Sequence, residues 1–250
     1  MTTLALYSNK GGVGKTVTAV NLAYLAAQAG RKTLICDLDP QSSATYFFRV
    51  KPKIKRKARG FEKGGKQINR SIKGTDYENL DLLPSDFTHR NLDITFGRLR
   101  QRKHRLNIVL DTLKDEYDLI FLDCPPTINI LAENIFNTSD HLLVPLLPTI
   151  LSERAYGLLL DFLDDNGFDK DNVYAFFSMV DRHNKMHRET GFSIFTQFTN
   201  ILQNPIPFDQ HVEQMGLYRE PVSAFAPSSP AAKAYQSLWI EIQKKVLKER

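Results

Sequence analysis

The stretch Ser8-Asn9-Lys10-Gly11-Gly12-Val13-Gly14-Lys15-Thr16 constrains this chain more than any other. Before it, Thr3-Leu4-Ala5-Leu6-Tyr7 reads as a short buried strand. After it, Gly14 to Ala29 reads as a helix that Gly30 ends. A glycine-rich turn between a strand and a helix is the context of a P-loop. Gly11, Gly12 and Gly14 allow the backbone N–H groups of the loop to turn inward around phosphate oxygens, and the helix N-terminus adds positive potential. In this reading Lys15 meets the β/γ-phosphates and the Thr16 hydroxyl binds Mg²⁺. One feature is extra. The P-loop frame normally opens on glycine; here it opens on Asn9, with Lys10 in its variable part. A second lysine five residues before Lys15 requires its own explanation.

Two further strand ends carry acids. Lys32-Thr33-Leu34-Ile35-Cys36 runs into Asp37-Leu38-Asp39-Pro40-Gln41, and alternation puts Asp37 and Asp39 on one side of an extended chain. Tyr117-Asp118-Leu119-Ile120-Phe121-Leu122-Asp123 is apolar until its last acid, the Walker B pattern, in which Asp123 holds Mg²⁺ directly or through water.

With these motifs in place, the chain resembles the ParA group of deviant Walker ATPases. The resemblance rests on Lys-Gly-Gly-Val-Gly-Lys-Thr at 10–16, Asp-Leu-Asp-Pro-Gln at 37–41 and Asp-Cys-Pro-Pro at 123–126. Asn79 to Ser85, Val144-Pro145, Met179 to Arg182, Ile206-Pro207 and Ala231 to Tyr235 extend it over nearly the whole length. It implies that Lys10 reaches across an ATP-bound homodimer to the nucleotide of the other subunit. It assigns Asp39 to the attacking water and Asp37 to the Mg²⁺ shell. It places the cofactors, ATP and Mg²⁺, on Lys10, Gly11, Gly12, Val13, Gly14, Lys15, Thr16 and Val17, with adenine contacts at Met179, Asp181, Pro207 and Phe208. Two departures stand out. Val17 replaces a threonine that touches the α-phosphate in the family, and Phe208 stands where the family often has arginine.

The 250 residues suit a single α/β domain with a doubly wound, mainly parallel sheet flanked by helices. Met1-Thr2-Thr3 leads straight into the first strand, and the longest apolar run, Leu142 to Leu151, is broken by Pro145 and Pro148. The expected location is therefore the cytoplasm. Cys36 and Cys124 do not form a Cys-x-x-Cys pair and read as small buried residues in a reducing compartment.

The charge balance, 33 Lys/Arg against 28 Asp/Glu, is unevenly spread. From Arg49 to Lys73 there are eleven Lys/Arg and one acid, Glu62. This 49–75 stretch, rich in charge and glycine, reads as a flexible loop that either holds nucleic-acid phosphates or is merely solvated. A second basic cluster, Arg98 to Arg105, is expected at the start of a helix whose apolar face is Leu106, Val109, Leu110 and Leu113. A third comprises Arg182, Lys185, Arg188, Arg219 and Lys233, with Lys244, Lys245, Lys248 and Arg250 in the last helix. The resemblance makes the C-terminal half a DNA-facing surface. The last helix, Pro230 to Glu249, has Ala234, Leu238, Ile242 and Val246 on one face, which is read as packing on the sheet; a membrane-targeting helix is the alternative.

The expected function is a ParA-like ATPase. Its ATP-bound dimer binds DNA non-specifically on the nucleoid and positions a plasmid, a chromosome region or another large cargo, with hydrolysis stimulated by a ParB-type partner. A MinD-like membrane-associated regulator is the alternative.

Overall fold

The computed structural model describes residues 1–51, 68–85 and 87–249. Most of the 49–75 stretch, including Lys53, Lys55, Arg56 and Lys57, lies outside the described residues.

Among the described residues, seven strands form one sheet in the order β3-β4-β2-β5-β1-β6-β7. They are β1 (Thr2–Leu6), β2 (Thr33–Asp37), β3 (Lys73–Gly74), β4 (Leu80–Leu83), β5 (Leu119–Asp123), β6 (His141–Leu146) and β7 (Val173–Phe177). All neighbours pair parallel except the short edge strand β3, which runs antiparallel to β4. The central strands are near-continuous apolar runs because both faces of the sheet are covered. Leu4 and Leu6 face one core and Ala5 and Tyr7 the other, as the period of two requires.

One face is covered by α1 (Lys15–Gln28) and α10 (Pro230–Lys245). Their Val20, Leu22, Ala23, Leu238 and Ile242 pack with Leu4, Ile35 and Phe121 of the sheet. The other face is covered by α3 (Leu92–Gly97), α4 (Arg105–Leu110), α5 (Ile130–Thr138), α6 (Ile150–Asp165) and α7 (Lys185–Gln197). Three short helices complete the set described here: α2 (Ser43–Phe47), α8 (Gln210–Tyr218) and α9 (Val222–Phe225).

The doubly wound parallel expectation is met. Boundaries moved by a residue or two, and α10 ends at Lys245 rather than Glu249. Leu238, Ile242 and Val246 are buried against the sheet, so the apolar face of that helix is already used. Among the described residues, no helix is long and apolar enough to cross a membrane. The second basic cluster is corrected. Arg98, Arg100, Arg102 and Lys103 precede α4 in exposed turns, and only Arg105 enters the helix, while Leu106, Val109, Leu110 and Leu113 are buried as expected.

Register fixes where a site can form. Leu6 and Asp37 both pair with Asp123, so β1, β2 and β5 end at one level. In an open parallel sheet, the crevice beyond these carboxyl ends is where ligands bind.

Candidate active site

The loop between β1 and α1 turns on two glycines in the left-handed region, Gly12 at φ 72° and Gly14 at φ 92°. At Gly14 a side chain is barred twice: by that φ, and because a Cβ would stand 2.9 Å from Ser178 Oγ. α1 starts at the next residue, so its free N–H groups open onto the loop.

The loop borders a cleft of about 740 Å³ lined by Gly11, Gly12, Gly14, Lys15, Thr16 and Val17, with Asp39 from the turn after β2. Lys15 is largely buried, its Nζ donates to the carbonyl of Lys10 at 3.0 Å, and burial lowers its pKa. The Thr16 hydroxyl donates to Asp123 Oδ1 at 3.1 Å. The other oxygen, Asp123 Oδ2, is buried with no hydrogen-bond partner among the described residues. Burial, then the neighbouring Asp37, push the Asp123 carboxyl well above the usual carboxylate range. A buried orphan oxygen beside a threonine hydroxyl is the donor set that a hard divalent cation takes, and the cation's charge removes the penalty of burying Asp123.

Asp37 is arranged differently. Its Oδ1 accepts the Asp39 N–H at 3.2 Å, and its Oδ2 accepts the Thr45 N–H at 2.8 Å and the Thr45 hydroxyl at 2.7 Å. Like Asp123 it is fully buried and does not itself line the cleft; the difference is that both of its oxygens are hydrogen-bonded. Where the resemblance implies a place in the Mg²⁺ shell, the structure gives Asp37 three protein donors and the work of holding the turn that carries Asp39. Burial first of all raises its carboxyl to about 7. Asp39 lines the cleft and is half-buried, its Oδ1 accepting the Gln41 N–H at 2.9 Å.

Comparison with known proteins gives the family. Residues 1–165 match the family described as an AAA domain. A virulence plasmid ParA family protein of Chlamydia psittaci is 32% identical over 256 residues, covering 100% of this chain and 97% of the relative. The chain belongs to the ParA family. The chromosome-partitioning ATPase Soj of Treponema pallidum is 28% identical over 250 residues, covering 96% of each chain. A putative plasmid partition protein of Borrelia burgdorferi B31, solved bound to AMPPNP, superposes with a TM-score of 0.84 at 23% identity, covering 98% of this chain and 99% of that one.

Against this ParA-family frame, Lys10 and Val13 lie on the far side of the loop. They border a small crevice with Val144, Leu146, Ser152 and Tyr156, and Lys10 Nζ donates to Ser152 Oγ at 3.2 Å, near the start of α6. Val17, the departure from the family threonine, lines the cleft with an apolar side chain.

The four residues carried over for adenine are brought near one another but divided. A parallel bridge joins Val180 to Pro207, and the Phe208 N–H donates to the Val180 carbonyl at 3.0 Å. Met179 lines the main cleft, whereas Asp181, Pro207 and Phe208 line a separate cavity of about 670 Å³.

Other parts of the cleft wall carry no motif. His89, Arg90 and Asp93 come from the segment after β4, and Phe47, Val212 and Glu213 from α2 and α8. Residues 40–41 and 125–126 were legible as flanks of strand-end acids; these others meet only through tertiary packing.

The basic residues are not all available for a polyanion. Arg49 pairs with Asp76 at 2.9 Å and Glu220 at 2.8 Å. Arg219 stacks over Tyr46, 4.4 Å from the ring centroid, and Lys245 pairs with Glu241 at 2.7 Å. Arg182, Arg188, Lys233, Lys244 and Lys248 are exposed.

Proposed function

We propose that residues 1–250 act as one ParA-type ATPase domain, which hydrolyses ATP slowly and uses it to switch between a monomer and a DNA-binding sandwich dimer. The observation that carries this is the joint placement of the glycine loop, Lys15 and Thr16 on one cleft, with Asp123 and its unpartnered oxygen buried directly behind the Thr16 hydroxyl. Lys15 and the loop N–H groups would bind the phosphates, and Thr16 with Asp123 would hold Mg²⁺, which supplies charge neutralisation at the phosphates. Asp39 would orient the attacking water. The water oxygen bonds to the γ-phosphorus as the bond to the β–γ bridging oxygen breaks, ADP leaves, and the water's proton passes to Asp39.

The Lys10 role follows from the family resemblance. A lysine supplied in trans stabilises phosphate charge only in the dimer, so nucleotide state and dimerisation become linked. Dimerisation would pair the exposed basic residues of two chains, giving salt-sensitive, sequence-independent DNA binding on the nucleoid. A cargo-bound activator of the ParB type would then stimulate hydrolysis and release the DNA. The plasmid and chromosome partition relatives support this reading over a membrane regulator, as does the buried apolar face of α10.

The test is DNA binding with ATP, with ADP and without nucleotide, for the wild type and for Lys10→Ala and Lys15→Ala. The expected result is ATP-dependent binding lost in both variants. Binding that ignores nucleotide, or that survives both substitutions, overturns the proposal.

A further inference from the structure

We infer that Thr45, eight residues after Asp37, is a positioning residue for Asp39. The inference rests on the proposed ATPase reading and deepens it.

Thr45 is buried, in the first turn of α2, and its hydroxyl works in both directions. It donates to Asp37 Oδ2 at 2.7 Å and accepts the Ser85 N–H at 3.0 Å. Its own N–H donates to the same Asp37 oxygen at 2.8 Å. The other oxygen of Asp37 takes the N–H of Asp39. One hydroxyl therefore ties the end of β4, the start of α2 and the turn bearing Asp39 to a single buried carboxylate. The chain continues through Ser85 Oγ, 2.5 Å from His89 Nδ1, and His89 lines the same cleft as Asp39. The two walls of the cleft are thus joined through the protein interior by Thr45.

Asp39 does not sit on a strand, where a ladder would hold it. Its backbone is held by the Asp37 contact and by the Ser42 N–H on its carbonyl at 2.9 Å. Replacing the Thr45 hydroxyl with a methyl removes a donor from a buried carboxylate and leaves the Ser85 N–H without its acceptor. Asp37 then re-forms its bonds from the remaining donors, and the Asp39 turn moves with it. Displacing a water-orienting group by a fraction of an ångström costs turnover rather than binding, because the phosphate contacts come from the loop and Lys15, not from this turn.

The experiment compares wild type, Thr45→Val and Thr45→Ser for steady-state ATP hydrolysis, for binding of a non-hydrolysable ATP analogue, and for melting temperature. The expected result is a fall in kcat of about ten- to a hundredfold in Thr45→Val with KM and analogue affinity within about threefold. Thr45→Ser, which keeps the hydroxyl, restores most of kcat. Two results overturn the inference alone: Thr45→Val turning over at the wild-type rate, or Thr45→Ser losing as much kcat as Thr45→Val while both melt earlier, which marks a packing role only. A wild-type chain that binds ATP but never hydrolyses it overturns the inference together with the reading beneath it. Wild-type hydrolysis with an unaffected Thr45→Val overturns the inference alone.

Discussion

Asp37 and Asp123 are register partners at the ends of adjacent parallel strands, both fully buried, yet only Asp37 has both of its carboxylate oxygens hydrogen-bonded among the described residues. The two equivalent positions thus differ in what they leave open, and under the proposed function Asp123 would be the cation ligand and Asp37 the anchor of the Asp39 turn. Neutralising Asp123 should separate stability from binding. Asp123→Asn removes a buried charge, so the chain without Mg²⁺ should be at least as stable as wild type, by up to about 3 kcal/mol. Its Mg²⁺-dependent gain in ATP affinity should vanish. Thermal melts and ATP titrations with and without Mg²⁺ read both effects, and a destabilised variant that keeps its Mg²⁺ response would contradict the assignment.

Gly14→Ala should fail at the P-loop even though alanine is small. The required φ of 92° and the 2.9 Å approach to Ser178 Oγ oppose any Cβ. A non-glycine residue held in such a conformation costs about 1–3 kcal/mol. Denaturant titration should show that loss, and nucleotide titration should show at least about a tenfold loss of affinity, equivalent to 1.4 kcal/mol. Gly11→Ala is the control for stability alone, since no protein atom lies within 4 Å of its Cβ position.

Glu241 gives a pH signature to the C-terminal packing. It is nearly buried on α10 and accepts the Gln203 and Asn204 N–H groups at 2.9 and 3.1 Å, with Lys245 Nζ at 2.7 Å. Burial would raise its pKa, but the Lys245 and backbone hydrogen bonds outweigh that and lower it. A lowered folded-state pKa means that the stabilisation is present above the unfolded value of about 4.3 and is lost as pH falls through the folded value. Glu241→Gln should therefore cost about 1–3 kcal/mol at neutral pH and little in acid, where wild-type Glu241 is itself protonated. Urea unfolding at several pH values checks it; a pH-independent difference would remove the charge argument.

Neutralising Lys53, Lys55, Arg56 and Lys57 should weaken DNA binding uniformly across sequences. If all four meet phosphates, the slope of log affinity against log salt should fall by about 3–4. Filter binding of unrelated duplexes over a salt series measures it, and an unchanged slope would assign these residues to a solvated loop.

Much of the site was legible before any fold was known, because local chemistry demands it. A loop that wraps phosphates needs glycine at Gly12 and Gly14, and a parallel strand that presents an acid must end as 119–123 does, apolar until Asp123. Asp39 and Lys15 followed from the same spacing. Asp37 shows the limit. Alternation put it level with Asp39, but its donors come from Thr45, eight residues away in α2, and no periodicity records that bond.

The sequence alone determined the strand–loop–helix order, the alternation of strands with helices, the family and the glycine-loop residues that line one end of the cleft. These depend on backbone conformation and on apolar periodicity within a few residues. Only the tertiary structure decided that Asp123 keeps an oxygen open while Asp37 does not, that His89 and Val212 share one cleft, that the adenine set divides between two cavities, and that Arg49 and Lys245 are already paired. Each of these depends on which side chain arrives from a distant element, and that is set by sheet register and helix packing rather than by neighbours in the chain.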